Sequence, residues 1–381
     1  MDVLSPPIIK IRNKLFRKNP TRSATSEILP VGHLEEEFDA IDVEADSEIE
    51  VDHVCHIVGR IESRPDGFVA QLYVPPVFYG FIIGAKHAKQ SELQTEFSCK
   101  LKIPDLRSSS SHIQVSAKTE ANIRGVFNRI KWIISKSRPQ MRPTHFICLP
   151  GTNEALRDAY VSFKKEVLEL VERDNERAYR GIDADLFVSE HKLHFTLATL
   201  FLADQREVKL ASQLLTTFMD TTEEGKAFDR TPLRLTIRGF DTMNDDPRSA
   251  RVLYMTLHEN AQSRRLQSLA NGLADLYTRN GLHSGNRRIG DPVKLHMTVL
   301  NSRLRAERQR SRFSADGAVS LPSEPSSEPF SAIGLLSAYE TRRVIENVQF
   351  EEVQLCKLLA DDSEDQGNSF YPCVAKLCLT T

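Results

Sequence analysis

From Phe68 onward the chain switches repeatedly between two spacings of apolar residues. Alternation marks strands, and recurrence every three or four positions marks helices. Phe68 to Val74 reads as a strand. Pro75 and Pro76 then open a short helix through Tyr79, Phe81, Ile82 and Ile83, and Gly84-Ala85-Lys86-His87 forms a turn. A second helix follows to about Phe97, then a short strand from Cys99 to Ile103. A polar loop (Ser108 to Ser111) leads to a strand from His112 to Val115. A long helix closes the unit, its stripe of Ile123, Val126, Phe127, Ile130, Ile133 and Ile134 lying on one face. The order over residues 52–137 is β-α-α-β-β-α. Arg138 to Pro143 reads as a short linker.

A second α+β unit is expected over 144–381. His145 to Leu149 is a strand, and Thr152 is placed to cap a helix carrying Leu156, Tyr160, Phe163, Val167 and Leu170 inward. An alternating strand through Leu193, Phe195 and Leu197 comes next, then a helix around Ala211, Leu214, Leu215 and Phe218. Strands near 233–240 and 251–258 precede a helix with Leu266, Leu269, Leu273 and Leu276. Another alternating strand follows through Leu295, Met297 and Val299. Residues 303–330 are charged, then rich in Ser, Pro and Glu, and read as a mobile insertion. Strands near 346–358 and 370–380 finish the sheet.

Composition narrows the class. The 381 residues carry a formal net charge of -2 and are 40% hydrophobic, enough for packed cores but no pointer to a polyanionic partner. Residues 1–50 are basic first (Lys10, Arg12, Lys14, Arg17, Lys18, Arg22), which also fits a nuclear import signal, then acidic through Glu35 to Glu50. They read as a solvated, disordered tail. Six cysteines without a Cys-X-X-Cys pair imply reduced thiols in an intracellular protein. His53, Cys55 and His56 do not share one strand face, so no metal site is expected there. No stretch approaches membrane-spanning length, so no membrane partner is expected.

One pentapeptide pattern occurs twice: Lys192-Leu193-His194-Phe195-Thr196 and Lys294-Leu295-His296-Met297-Thr298. On an alternating strand, Lys, His and Thr share one face and the apolar residues the other. Two such strands side by side put two imidazoles and two hydroxyls over one pocket. Imidazole titrates near neutrality, so one ring can take a proton while the other gives one. Threonine hydroxyls can donate to nonbridging phosphate oxygens. This chemistry requires no metal or cofactor. A single His-X-Thr is uninformative; two copies with the same preceding Lys-Leu point to one shared site and a weak internal duplication. Met243 to Pro247 reads as turn chemistry, and Arg287 and Arg288 as a solvated loop or an anion contact.

The pair resembles the signature of the two-histidine phosphoesterases, over roughly 144–381. That resemblance implies a bilobal fold with pseudo-twofold antiparallel sheets. It also implies an active site of His194, Thr196, His296 and Thr298, and action on RNA ends, 2′,3′-cyclic phosphates or 2′,5′-linked oligonucleotides. Which histidine is acid and which is base stays open. The first unit resembles a KH domain, which clamps single-stranded nucleic acid over a Gly-X-X-Gly loop. Here Gly84 and Lys86 stand in that loop, but His87 replaces the last glycine, and its Cβ hinders close approach of phosphate. RNA binding through Gly84, Lys86 and His87, joined by Lys192 and Lys294 beside the pocket, and a pure docking role both fit. A KH domain followed directly by a two-histidine phosphoesterase is similar to a subunit of a helicase-containing coactivator complex. That likeness implies a nuclear protein in transcription and alkylation repair. Three functions remain: an RNA phosphoesterase, a non-catalytic reader of RNA ends that scaffolds such a complex, or coactivation through protein contacts alone, which would survive loss of both histidines.

Overall fold

A computed structural model describes residues 8–11, 14–17, 56–105, 112–174, 178–315, 328–340, 343–358 and 369–380. Two compact units result, Met1–Glu48 and Ile49–Thr381. In the first, β1 (Ile8–Ile11) and β2 (Lys14–Arg17) form an antiparallel hairpin within the stretch expected to be a tail. The acidic run and the His53 and Cys55 positions lie outside the described residues.

The second unit begins with β3 (His56–Arg64), β4 (Gly67–Tyr73), α1 (Tyr79–Ile83), α2 (Ala88–Glu96), β5 (Cys99–Lys102), β6 (His112–Ala117) and α3 (Glu120–Ser137). From β4 onward this is the expected β-α-α-β-β-α order. The sheet order β3-β4-β6-β5 shows an added N-terminal strand at the edge. Ile123, Val126, Ile130, Ile133 and Ile134 of α3 pack against Leu72, Ile113 and Val115 of the sheet. Thr119 caps α3 by accepting from the Asn122 N–H.

The larger domain runs β7 (His145–Pro150), α4 (Glu154–Glu172), β8 (His194–Leu200), α5 (Gln205–Thr221), α6 (Glu223–Lys226), β9 (Leu233–Thr242), β10 (Val252–Leu257), α7 (Ala261–Arg279) and β11 (Met297–Asn301). It ends with α8 (Ser302–Ala315), α9 (Ile333–Ala338), β12 (Arg343–Phe350), β13 (Glu352–Lys357) and β14 (Cys373–Cys378). Its eight strands are ordered β12-β9-β10-β11-β8-β7-β13-β14. Every pairing is antiparallel. The sheet divides into two lobes of matching layout: β8-β7-β13-β14, the first lobe, and β11-β10-β9-β12, the second. β8 and β11, the inner strands of the two lobes, share one ladder pair, Met297 opposite Phe195, and isolated bridges join Phe187 to Leu300 and Leu200 to His283. Leu193, Phe195, Leu197, Met297 and Val299 are buried in one continuous core, as their alternation predicts, and Leu295 packs half-buried against it.

Three expectations are revised. Asn153, not Thr152, caps α4, accepting from the Leu156 N–H at 3.2 Å. The segment near 346–358 is two strands in different lobes, β12 at the edge of the second and β13 between β7 and β14 in the first. The insertion expected at 303–330 opens as α8, whose Arg305 and Arg308 donate to the carbonyls of Gly181, Ala184, Asp185 and Phe187. Residues 316–327 lie outside the described ones.

The expected linker is a buried joint. Arg138 is 5% exposed. It donates to the Phe201 carbonyl at 3.0 Å and to the Glu207 carboxylate, and its guanidinium lies 5.4 and 5.5 Å from the rings of Phe78 and Phe201. Phe201, the residue after β8, packs into the core of the smaller domain. The Arg206 guanidinium sits 3.9 Å from the Tyr73 ring centroid.

Candidate active site

The register builds the site. With Met297 opposite Phe195, one residue further on either side sets His296 opposite Thr196 and Thr298 opposite His194. Directly opposed residues have Cβ atoms about 4.5–5.5 Å apart, and diagonal ones about 7–8 Å. Each histidine therefore faces the other copy's threonine, and the imidazoles sit on the diagonal. All four are half-buried, on the face opposite the core.

The two copies share local geometry that the alternation did not reveal. Glu190–Lys192 is a 3-10 turn, and β8 starts at His194. Lys294 likewise precedes β11. The backbone doubles back enough for the His194 Nδ1 to lie 2.7 Å from the Lys192 carbonyl, and the His296 Nδ1 2.7 Å from the Lys294 carbonyl. A carbonyl only accepts, so Nδ1 carries the hydrogen in both rings and Nε2 is left as the titrating nitrogen. The start of β8 is held from β7 as well. The Gly151 N–H donates to the Leu193 carbonyl at 2.7 Å, and a Cβ on Gly151 would meet that oxygen at 2.7 Å.

Lys192 and Lys294 do not stand in the strands beside the histidines, as their alternation predicts. Their ammonium groups lie 4.3 Å from the Tyr371 ring centroid and 4.9 Å from that of Tyr254. Each tyrosine in turn meets the neighbouring histidine edge-on, with centroids 5.5 Å apart in both lobes.

The aromatic walls differ between the lobes. His194 also packs against Phe146 at 4.9 Å and Phe370 at 6.2 Å, whereas His296 has Tyr254, whose hydroxyl donates to Asp241 at 2.5 Å. Phe146, Phe370, Tyr371 and Tyr254 escaped the sequence reading. They come from other strands and loops, and no local pattern ties them to the histidines.

Enclosure sets the proton affinities. Burial lowers the His194 pKa to about 4, aided by the positive charges of His296 and Lys192 and opposed by the bond to the Lys192 carbonyl. The His296 pKa is also lowered, by burial and by Lys294, against the bond to the Lys294 carbonyl. His296, with the thinner wall, is the readier of the two to hold a proton. Among the described residues, no group of three or more His, Cys, Asp or Glu is arranged to hold a metal ion.

The other candidates are placed as follows. Gly84 has φ +70°, Lys86 φ +49° and His87 φ +64°, so the turn keeps a left-handed loop backbone although two of these residues carry side chains. Lys86 and His87 are exposed, and His87 lies 2.9 Å from the Gln90 side chain. Arg287 is a structural residue, buried on Asp275 and bonded to the Asp291 carbonyl. Arg288 is exposed.

Residues 143–379 match the model of the AKAP7 2′5′ RNA ligase-like domain. The chain belongs to that family. Residues 69–131 match the KH domain model, so the 2′5′ RNA ligase-like domain here follows a KH domain. The mouse (Mus musculus) protein activating signal cointegrator 1 complex subunit 1 is 27% identical over 325 residues, covering 83% of this chain and 85% of its own length. Among solved structures, E. coli LigT complexed with NADP+ is 19% identical and covers 63% of this chain and 99% of its own, with a TM-score of 0.33. Kluyveromyces marxianus Usb1 is 14% identical over 64% of this chain and all of its own, with a TM-score of 0.32.

Proposed function

We propose that this 2′5′ RNA ligase-like domain is an RNA phosphoesterase acting on phosphodiesters or 2′,3′-cyclic phosphates, with His194 as general base and His296 as general acid. The crossed His/Thr quartet, with both Nδ1 atoms tied to backbone carbonyls, carries this reading. Neutral His194 takes the proton from the attacking hydroxyl or water at Nε2. Protonated His296 gives one from Nε2 to the leaving oxygen. Thr196 and Thr298 donate to the nonbridging oxygens as charge builds there. No step needs a metal or cofactor.

The KH domain supplies a hold on single-stranded RNA. The buried Arg138 joint fixes it to the phosphoesterase domain and supports the two acting as one body. The likeness to the mouse complex subunit supports a place beside a helicase and other members of the activating signal cointegrator complex in the nucleus. Transcriptional coactivation and alkylation-damage repair are the roles that follow.

The test is turnover of labelled RNA ending in 3′-hydroxyl or 2′,3′-cyclic phosphate, in excess chelator, with the intact chain, His194→Ala and His296→Ala. Turnover should survive the chelator and fall about 10²- to 10⁴-fold in each variant. Binding that depends on the histidines without any turnover would make the domain a non-catalytic reader of RNA ends.

A further inference from the structure

The pseudo-twofold allows the same position to be compared in both lobes. In the second lobe, Met255 lies opposite Met297, so Thr256 is the neighbour of His296. The Thr256 hydroxyl donates to the Arg238 carbonyl on β9, the next strand out. In the first lobe, Pro150 lies opposite His194, and continuing the pairing of Gln354 with Cys148 sets Glu352 of β13 opposite Pro150. Arg238 and Glu352 thus stand equally far from their histidines, two strands out, about 10 Å at the usual strand spacing.

Arg238 belongs to the site face, since Leu235 and Ile237 of the same strand are buried in the core. Its environment is unlike that of Glu352, whose carboxylate meets the Lys376 ammonium with both oxygens at 3.1 Å. Arg238 is half-buried, and among the described residues no carboxylate pairs with it. The nearest acid along β9 on that face, Asp241, is taken by the Tyr254 hydroxyl. Arg234, on the same strand and face, is exposed. A partly desolvated guanidinium without a counter-charge favours an incoming anion, and its planar fork matches phosphate.

We propose that Arg238 binds the phosphate next along the strand from the reacting one, so that the RNA body leaves the cleft across the second lobe and its end lies against the aromatic wall of the first. This rests on the phosphoesterase reading of the cleft. An extended nucleotide with its phosphate spans the separation between His296 and Arg238. The opposite exit crosses Glu352, an anion already matched by Lys376.

The experiment is a salt titration of affinity by fluorescence anisotropy. Labelled RNA dinucleotides and tetranucleotides are used, short enough to limit contact with the KH domain. The intact chain is compared with Arg238→Gln, Arg238→Lys and Lys376→Gln. The tetranucleotide should bind more tightly than the dinucleotide and with a steeper salt dependence. Arg238→Gln should weaken the tetranucleotide roughly tenfold and reduce its log–log salt slope by about 0.7, one phosphate contact on a single strand. Dinucleotide binding should be unchanged. Arg238→Lys should keep the slope and lose part of the affinity. An unchanged tetranucleotide slope in Arg238→Gln overturns the proposal, as does a length-dependent loss confined to Lys376→Gln. Binding is read without turnover, so an inactive protein would refute the phosphoesterase reading while leaving this outcome readable.

Discussion

Arg138 offers the sharpest test of how the two domains are joined. Its side chain is 6% exposed and that of its partner Glu207 2%. Glu207 also accepts from the Ala203 N–H at 2.7 Å. Burial pushes the Glu207 carboxyl up, against the pull of the Arg138 guanidinium. Desolvation therefore outweighs attraction at this carboxylate, and the Arg138 Nε is buried without a hydrogen-bond partner. Such a pair stabilises little relative to apolar residues of the same size, yet removing one partner strands a buried charge. Arg138→Leu or Glu207→Leu alone should each cost about 3–5 kcal/mol, a large part of a typical total of about 5–15 kcal/mol. The double replacement should return to within about 2 kcal/mol of the intact chain, or exceed it. Urea unfolding would measure this with two probes. The chain has a single tryptophan, Trp132, 50% exposed on α3, so its fluorescence follows the KH domain. Far-UV circular dichroism follows both domains. Coincident transitions in the intact chain and separated ones in the single variants are expected. Single variants that lose less than about 1 kcal/mol, or a double variant as weak as either single, would refute the reasoning.

Two further outcomes follow from strain and charge. His87→Gly removes a side chain from a left-handed backbone position, which should cost nothing in stability or gain up to about 1 kcal/mol. It should also raise single-stranded RNA affinity of the KH domain; weaker binding in anisotropy measurements would argue that His87 is itself a contact. For the pH profile, the base must be unprotonated and the acid protonated. His194 loses its proton above about pH 4, and His296 holds one only below a pKa lowered from the ordinary 6.5. kcat/KM should peak between those values and fall toward alkaline pH; a rate still climbing through neutrality would refute His296 as the general acid, since the required proton would then be held above its lowered pKa.

The sequence made the pentapeptide pair, its core-facing residues and the α3 stripe legible, because each is written in short-range periodicity. The lysines were misplaced because alternation continues through Lys192 and Lys294, while the 3-10 turn ending at Lys192 and the carbonyl-to-Nδ1 bonds leave no trace in an apolar/polar pattern. Arg138 read as linker because Pro139 and Pro143 flag a loop, and its partner Glu207 is remote in sequence. The aromatic cage was illegible for the same reason: Phe146 reaches His194 through the pairing of β7 with β8, and Tyr371 only once β13 and β14 have joined the first lobe.

That β8 and β11 bring the two motifs together at one ladder pair, with each histidine facing the other copy's threonine, has an evolutionary reading. One lobe alone holds half a site, so a single-lobe ancestor could have built the quartet only by pairing with its twin. In the present chain the halves are laced together. Only Glu351 separates β12, on the second lobe's edge, from β13, within the first. Cleaving any one loop would leave both lobes sharing a polypeptide, and neither could drift to another geometry without dragging the other along.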